Sequence, residues 1–141
     1  MRRARGGSNA VEFALVMPVW FTVIAAVMDF SWLFYRVAVL DYAANLGCRA
    51  GSLVDPGLGD ARISRVGARV EARTNEVMEV LTGRECESCT VDVETEGAPP
   101  QRSLVCTVTL DFQPLTRLVV QPRELTSVQV ARLEWQRTAA N

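Results

Sequence analysis

The sequence predicts an α+β fold: a long N-terminal membrane-anchoring helix, a second amphipathic helix, and a small antiparallel sheet of about three strands. Three features point to it. Residues 13–28 carry no charge, residues 63–81 repeat apolar side chains at helical spacing, and from residue 90 onward the apolar period falls to two. A chain of 141 residues has room for one packed unit plus an anchor. With 49% hydrophobic and 22% charged residues it is composed to pack rather than to stay disordered.

Charge and residue usage narrow the function classes. The formal net charge is −1, from 15 basic and 16 acidic residues, so the chain lacks the positive field that neutralises phosphates, and no nucleic acid is expected as partner. Histidine is absent, which removes imidazole catalysts, His-containing triads and His-ligated metals. Every basic residue is arginine, so lysine Schiff-base and P-loop chemistry are excluded as well. No catalytic constellation, metal site or cofactor site is expected, and the protein is read as a non-enzyme.

The first element is the anchor. Arg2, Arg3 and Arg5 precede the charge-free run, which spans roughly 24 Å as a helix at about 1.5 Å per residue. Phe30, Trp32, Leu33, Phe34 and Tyr35 extend it past the single Asp29 toward the ~30 Å of a bilayer core. Trp32 and Tyr35 suit a membrane interface, and the three arginines predict a cytoplasmic N-terminus, with everything after Arg36 on the far side. A cleaved secretory signal fits poorly, because no small-x-small site follows the run and acidic Glu12 stands at its beginning. Pro18, inside the run, removes a backbone hydrogen bond and is expected to kink or locally melt the helix. Asp29 carries an ionisable group at depth. It is expected either to make an intersubunit contact, with Arg36 or an arginine of another component, or to mark the membrane boundary.

Beyond the membrane, Phe30, Leu33, Phe34, Val37, Leu40 and Ala44 keep helical spacing, so the helix is expected to continue to about Arg49. Gly51, Ser52 and residues 55–59 (Asp-Pro-Gly-Leu-Gly) then break it, and Asp60 is an N-cap for a second helix. Ile63, Val66, Val70, Val77 and Leu81 form the expected buried stripe of that helix. Arg62, Arg65, Arg69, Arg73, Glu76 and Glu79 lie beside it as a solvated polar face.

After Gly83 the period changes. Residues 90–94 alternate, residues 97–100 (Gly-Ala-Pro-Pro) turn, and Leu104, Cys106, Val108 and Leu110 share one face of a second strand. Pro114 and Pro122 enclose a connection to a third strand from Leu125 to about Trp135. Its Val128 and Val130 are expected to face the core, with a bulge or strand end where the parity slips before Leu133.

Cys48, Cys86, Cys89 and Cys106 fall on the expected extracytoplasmic side, where disulfides persist. Cys86 and Cys89 form a CxxC pair, the signature of thiol-disulfide exchange, but the βαβ setting is missing. Zinc on four thiolates is a weak option in an oxidising compartment. Structural disulfides are favoured, with Cys106 joined to Cys86 or Cys89 and the remaining pairing left open.

Residues 6–13 (Gly-Gly-Ser-Asn-Ala-Val-Glu-Phe) place a glycine five residues before a Glu-Phe pair, between arginines and an apolar helix. This resembles the class III signal of type IV pilin-like proteins. Residues 10–18 (Ala-Val-Glu-Phe-Ala-Leu-Val-Met-Pro), the Asp29-Phe30 pair and residues 43–50 (Ala-Ala-Asn-Leu-Gly-Cys-Arg-Ala) together resemble the TadE-like family, the pseudopilins or minor pilins of the tight-adherence (Tad) type IV pilus. The likeness is strongest over residues 6–51 and fainter at residues 112–115 (Phe-Gln-Pro-Leu); Cys48 departs from it.

The resemblance implies cleavage between Gly7 and Ser8 by a prepilin peptidase of the bacterial inner membrane. It implies a single-pass anchor kept by the mature chain, and assembly with other pilin-like subunits and the pilus platform through Glu12, Phe13, Pro18 and Asp29. On physical grounds Glu12 is costly in an apolar setting, about 2.5–3.5 kcal/mol at a helix centre, and the Ser8 amine of a neighbouring subunit is its natural partner. The organisation implied is a leader over residues 1–7, an anchor and stalk helix over 8–50, and an extracytoplasmic α+β domain over 51–141. The alternatives are an uncleaved membrane-tethered envelope protein and a CxxC oxidoreductase.

Overall fold

The computed structural model describes residues 6–54, 61–83, 89–97 and 102–133. Two helices, α1 (Gly6–Ser52) and α2 (Ala61–Thr82), are followed by three strands, β1 (Cys89–Glu96), β2 (Ser103–Phe112) and β3 (Arg123–Arg132). The strands form one antiparallel sheet in the order β1-β2-β3, so the fold is α+β with β2 at the centre. Both helices lie on the same face of the sheet, α1 over β2 and β3 and α2 over β1.

Helix α1 has two halves with different surroundings. From residue 10 to residue 28 no side chain is buried, and the helix is apolar on all sides, with Val11, Leu15, Trp20, Phe21 and Val27 all exposed. From Asp29 onward a buried stripe begins: Asp29, Leu33, Leu40, Ala43, Ala44, Gly47, Cys48 and Gly51 share one face at helical spacing. Phe30 and Phe34, expected on that stripe, are instead 46% and 70% exposed. The helix turns its small residues inward because α2 and the sheet approach it closely, and large rings do not fit there. Its end is capped by Ser52, whose hydroxyl donates to the Arg49 carbonyl at 2.8 Å. The backbone runs as α-helix through Pro18, so the local melting expected there is not seen. Thr22 Oγ1 donates to the Pro18 carbonyl at 2.9 Å.

Helix α2 runs antiparallel to α1, because Gly51 and Gly47 face Val70 near its start and Tyr35 reaches the Leu81 carbonyl near its end. Val66, Val70, Thr74, Val77 and Met78 are buried, whereas Leu81 is 41% exposed, and Asp60 lies outside the described residues. The stripe drifts off the core by the last turn, where Leu81 looks outward. The Thr74 hydroxyl, buried opposite Gly47, has no hydrogen-bond partner among the described residues. Gly83 stops the helix with φ of 70° while its amide donates to the Glu79 carbonyl at 2.8 Å. On the solvated face Arg73 pairs with Glu76 at 2.7 Å, and that hydrogen bond and charge hold the Glu76 carboxyl below its ordinary value.

The inner face of the sheet is written by parity. Leu104, Cys106, Val108, Leu110 and Phe112 of β2 are buried, flanked by Val91 and Val93 of β1. On β3 the core-facing set is Leu125, Ser127, Gln129 and Ala131, continued by Leu133, while Val128 and Val130 are 56% and 65% exposed. The expected orientation of β3 is therefore reversed. Of the expected bulge or strand end before Leu133 it is the strand end that is found: β3 stops at Arg132, and its pairing with β2 is unbroken from Ser103↔Arg132 to Phe112↔Arg123. The polar inner residues are accommodated because α1 answers them. Ser127 Oγ donates to Asp41 Oδ1 at 2.6 Å, and Asn45 faces Gln129 at 3.5 Å.

Candidate functional site

The residues singled out in the sequence fall on α1 and at its junction with the sheet. The backbone of Gly7 and Ser8 belongs to the first turns of α1; their side chains lie outside what is described. Glu12 and Phe13 are exposed, as is Pro18. The bare segment over residues 10–28 is roughly 28 Å long at about 1.5 Å per residue, close to the ~30 Å of a hydrocarbon core. Helix α1 is long and apolar enough to cross a membrane. A core helix of this hydrophobicity would be covered by other elements; here only 6% of the most apolar window is buried. The arrangement suggests a single-pass anchor that leads without interruption into a folded domain.

Asp29 stands where exposure ends. Its carboxylate is fully buried and accepts two hydrogen bonds from one residue: the Thr116 amide donates to Oδ1 at 2.9 Å and the Thr116 hydroxyl to Oδ2 at 2.6 Å. Thr116 lies in the connection over residues 113–122, so the acid ties the β2–β3 connection to the base of α1. Within its own chain Asp29 does not meet Arg36. Arg36 instead lies over the Trp32 ring, 4.6 Å from its centroid, and Trp32 stacks with Tyr35 at 5.6 Å. A carboxylate buried this way is satisfied within its own chain, because a charge removed from water needs donors at hand and the turn at Thr116 supplies two.

Two further contacts brace the same junction. Trp32 Nε1 donates to the Gln113 carbonyl at 3.3 Å, and Tyr35 Oη donates to the Leu81 carbonyl at 2.7 Å. Thr116 escaped the sequence reading. The only signal near it was the faint likeness at residues 112–115, which gave no partner for Asp29. Replacing Asp29 by Ala is expected to leave the Thr116 amide without its acceptor, and exchange at that amide is expected to quicken by roughly tenfold or more in full-length protein. Unchanged protection would show that the connection is held by other contacts.

The cysteines also depart from expectation. Cys48 of α1 is bonded to Cys106 of β2, with Cα atoms 5.7 Å apart, rather than Cys106 pairing with Cys86 or Cys89. The reason is layering: Cys106 faces inward from the central strand, toward α1, and Cys48 lies on the buried side of that helix. Cys89 is disulfide-bonded as well and opens a strand rather than a helix, while Cys86 lies outside the described residues.

The family model for TadE-like protein matches residues 7–49. No curated protein and no solved structure matches the chain. The matched span covers the bare segment, Asp29 and the buried stripe of α1 up to Cys48.

Proposed function

We propose, for a chain whose residues 7–49 are TadE-like, that it is a pseudopilin or minor pilin of a Tad-type type IV pilus, processed by a prepilin peptidase and acting in pilus initiation or assembly. The observation that carries this reading is the placement of the Gly7, Glu12 and Phe13 pattern at the start of an apolar helix whose residues 10–28 nothing in the described chain buries. The role is structural: the mature chain begins at Ser8 and stands in the bacterial inner membrane with its α+β domain on the extracytoplasmic side. In this account residues 1–7 are the leader, 8–50 the anchor and stalk, and 51–141 the remainder of the extracytoplasmic domain.

Assembly then follows from charge and shape on the bare half of α1. Glu12 of one subunit neutralises the Ser8 amine of its neighbour, which fixes the axial stagger when helices bundle away from water. Phe13 and the exposed apolar side chains beside it supply the packing surface, and Pro18 leaves one carbonyl of the preceding turn open. Asp29, turned inward to Thr116, acts on assembly by keeping the domain in a fixed relation to the helix.

The test is the intact mass and N-terminal sequence of the membrane-extracted protein, produced with and without a cognate prepilin peptidase. The expected result is a peptidase-dependent start at Ser8, abolished by Gly7→Leu. If the leader arginines remain with an active peptidase present, the pseudopilin reading falls and an uncleaved tether takes its place.

A further inference from the structure

We infer that the β2–β3 connection is a second membrane contact: its tip, Leu115, Leu118 and Val119, beds into the headgroup boundary of the bilayer beside the point where α1 emerges. The inference rests on the reading of α1 as a membrane span and adds a site to it. Three observations carry it.

The first is exposure at a fixed place. Leu115 is 62% exposed, Leu118 70% and Val119 41%, all within a few residues of Thr116. Thr116 is held to Asp29, the residue that directly follows the bare apolar segment. The tip is therefore pinned level with the end of the membrane-spanning half and has little freedom to lift away from it. The second is continuity. A groove of about 610 Å³, mostly apolar but with Ser31 and Thr82 in its lining, runs between Val27, Met28 and Trp32 of α1 and Leu115 of the connection, so the apolar surface of the anchor adjoins that of the tip. The third is the chemistry around it. Trp32 and Tyr35 stack at this level, Arg36 lies on the Trp32 ring, and Arg117 stands between the leucines with its guanidinium on Gln113 Oε1 at 3.3 Å. Aromatic rings and arginines ringing an apolar tip are what a lipid interface accommodates, rings at the headgroup level and guanidinium groups at phosphate.

Arg117 has φ of 57°, a left-handed conformation that non-glycine residues seldom adopt. It turns the chain sharply between Leu115 and Leu118, so that both leucines stay exposed on the tip.

Val130 provides the control that separates position from exposure. It is as exposed as the tip, at 65%, and as apolar, but lies near the far end of β3, roughly 20 Å away along the strand at about 3.3 Å per residue. The experiment places a nitroxide on Leu118→Cys, Val130→Cys and Val19→Cys in separate full-length chains. Each is reconstituted into phosphatidylcholine–phosphatidylglycerol vesicles, and its collision rates with oxygen and with a water-soluble nickel chelate are compared; the unsubstituted chain serves as the labelling blank.

The expected oxygen-to-nickel ratio is highest at position 19, several-fold above position 130 at position 118, and lowest at 130. If 118 reads like 130 while 19 reads as lipid, the loop contact is overturned and the anchor stands. If 19 also reads as water, the anchor reading falls and the loop contact with it. A label at 118 that is wet in vesicles and becomes shielded only when pilin-like subunits are added overturns the lipid contact in favour of a protein one. A second label, at Val119→Cys, leaves Leu118 and the Thr116–Asp29 hydrogen bonds in place. Its ratio is expected to match that of position 118, and a value like that of position 130 overturns the contact.

Discussion

Replacing Cys48 and Cys106 together by alanine is expected to destabilise the folded domain by about 3–5 kcal/mol. The bridge joins residues 58 apart in sequence, and closing a loop of that length removes about 4 kcal/mol worth of chain entropy from the unfolded state. Both sulfurs are buried, at 1% and 0% exposure, so the alanines also leave space that the surrounding side chains fill only in part. The pair sits in the cluster with Val66, Val70, Leu104 and Leu133, at the end of the domain remote from the anchor. Urea unfolding of the full chain in detergent, followed by tryptophan fluorescence, reads the effect as a drop in midpoint. Adding a thiol reductant to the unsubstituted chain is expected to move the midpoint in the same direction. A loss below about 1 kcal/mol would mean that packing alone sets the position of α1 on the sheet.

The second large effect concerns the contact between the helices, where sign as well as size is expected to vary with position. Alanine is a better helix former than glycine by about 1 kcal/mol, so Gly→Ala stabilises wherever there is room. At Gly67 no atom lies within 4 Å of the added methyl, and Gly67→Ala is expected to stabilise by about 0.5–1 kcal/mol. At Gly47 the methyl falls on Thr74 Oγ1 and 3.0 Å from the Val70 carbonyl oxygen, and backbone does not step aside. At Gly51 it falls on Val70 Cγ2, with Leu104 Cδ2 at 3.2 Å and Val66 Cγ1 at 3.3 Å. Overpacking of this kind costs about 1–3 kcal/mol, which exceeds the propensity gain, so Gly47→Ala and Gly51→Ala are expected to destabilise. Larger residues there are expected to prevent α2 from docking. Urea midpoints of the three alanine variants decide the matter; equal shifts at Gly47 and Gly67 would refute close helix contact.

These glycines show where sequence reading stops. The bare half of α1 was legible, because an uncharged run next to arginines has few explanations, and the alternating strands were legible because period two survives in β2 without exception. The buried face of α1 was harder. Of the helically spaced set, Leu33, Leu40 and Ala44 are buried, but Phe30 and Phe34 are exposed, and Gly47 and Gly51, absent from the set, lie against α2. Strand β3 failed in its phase. Val128 and Val130 are its most apolar residues, but the inner face belongs to Ser127 and Gln129, whose partners Asp41 and Asn45 lie on α1 some eighty residues earlier. The phase was present in Leu125 and Leu133, two apolar residues of equal parity that bracket the strand.

Long-range pairing was the other blind spot. Asp29 announced itself as a group needing a partner, and the one it finds within the chain, Thr116, is brought to it only by the return from β2 to β3. Cys106 was placed with the nearby CxxC for want of any sign that α1 crosses the inner face of the central strand.

The bridge between α1 and β2 has a mechanical consequence. Strand β3 follows the direction of α1, since Asp41 meets Ser127 and Asn45 meets Gln129, so the helix and the strands lie nearly along one axis. A tug on the anchor travels up a single unbroken rod and passes through a covalent rivet into the middle strand. Hydrogen-bonded ladders flank that strand on both sides with their bonds set across the pull. Such a ladder is loaded in shear, with its rungs sharing the strain together instead of parting one at a time as in a zipper. Pulled along α1 against the sheet, the domain is thus expected to resist axial tension.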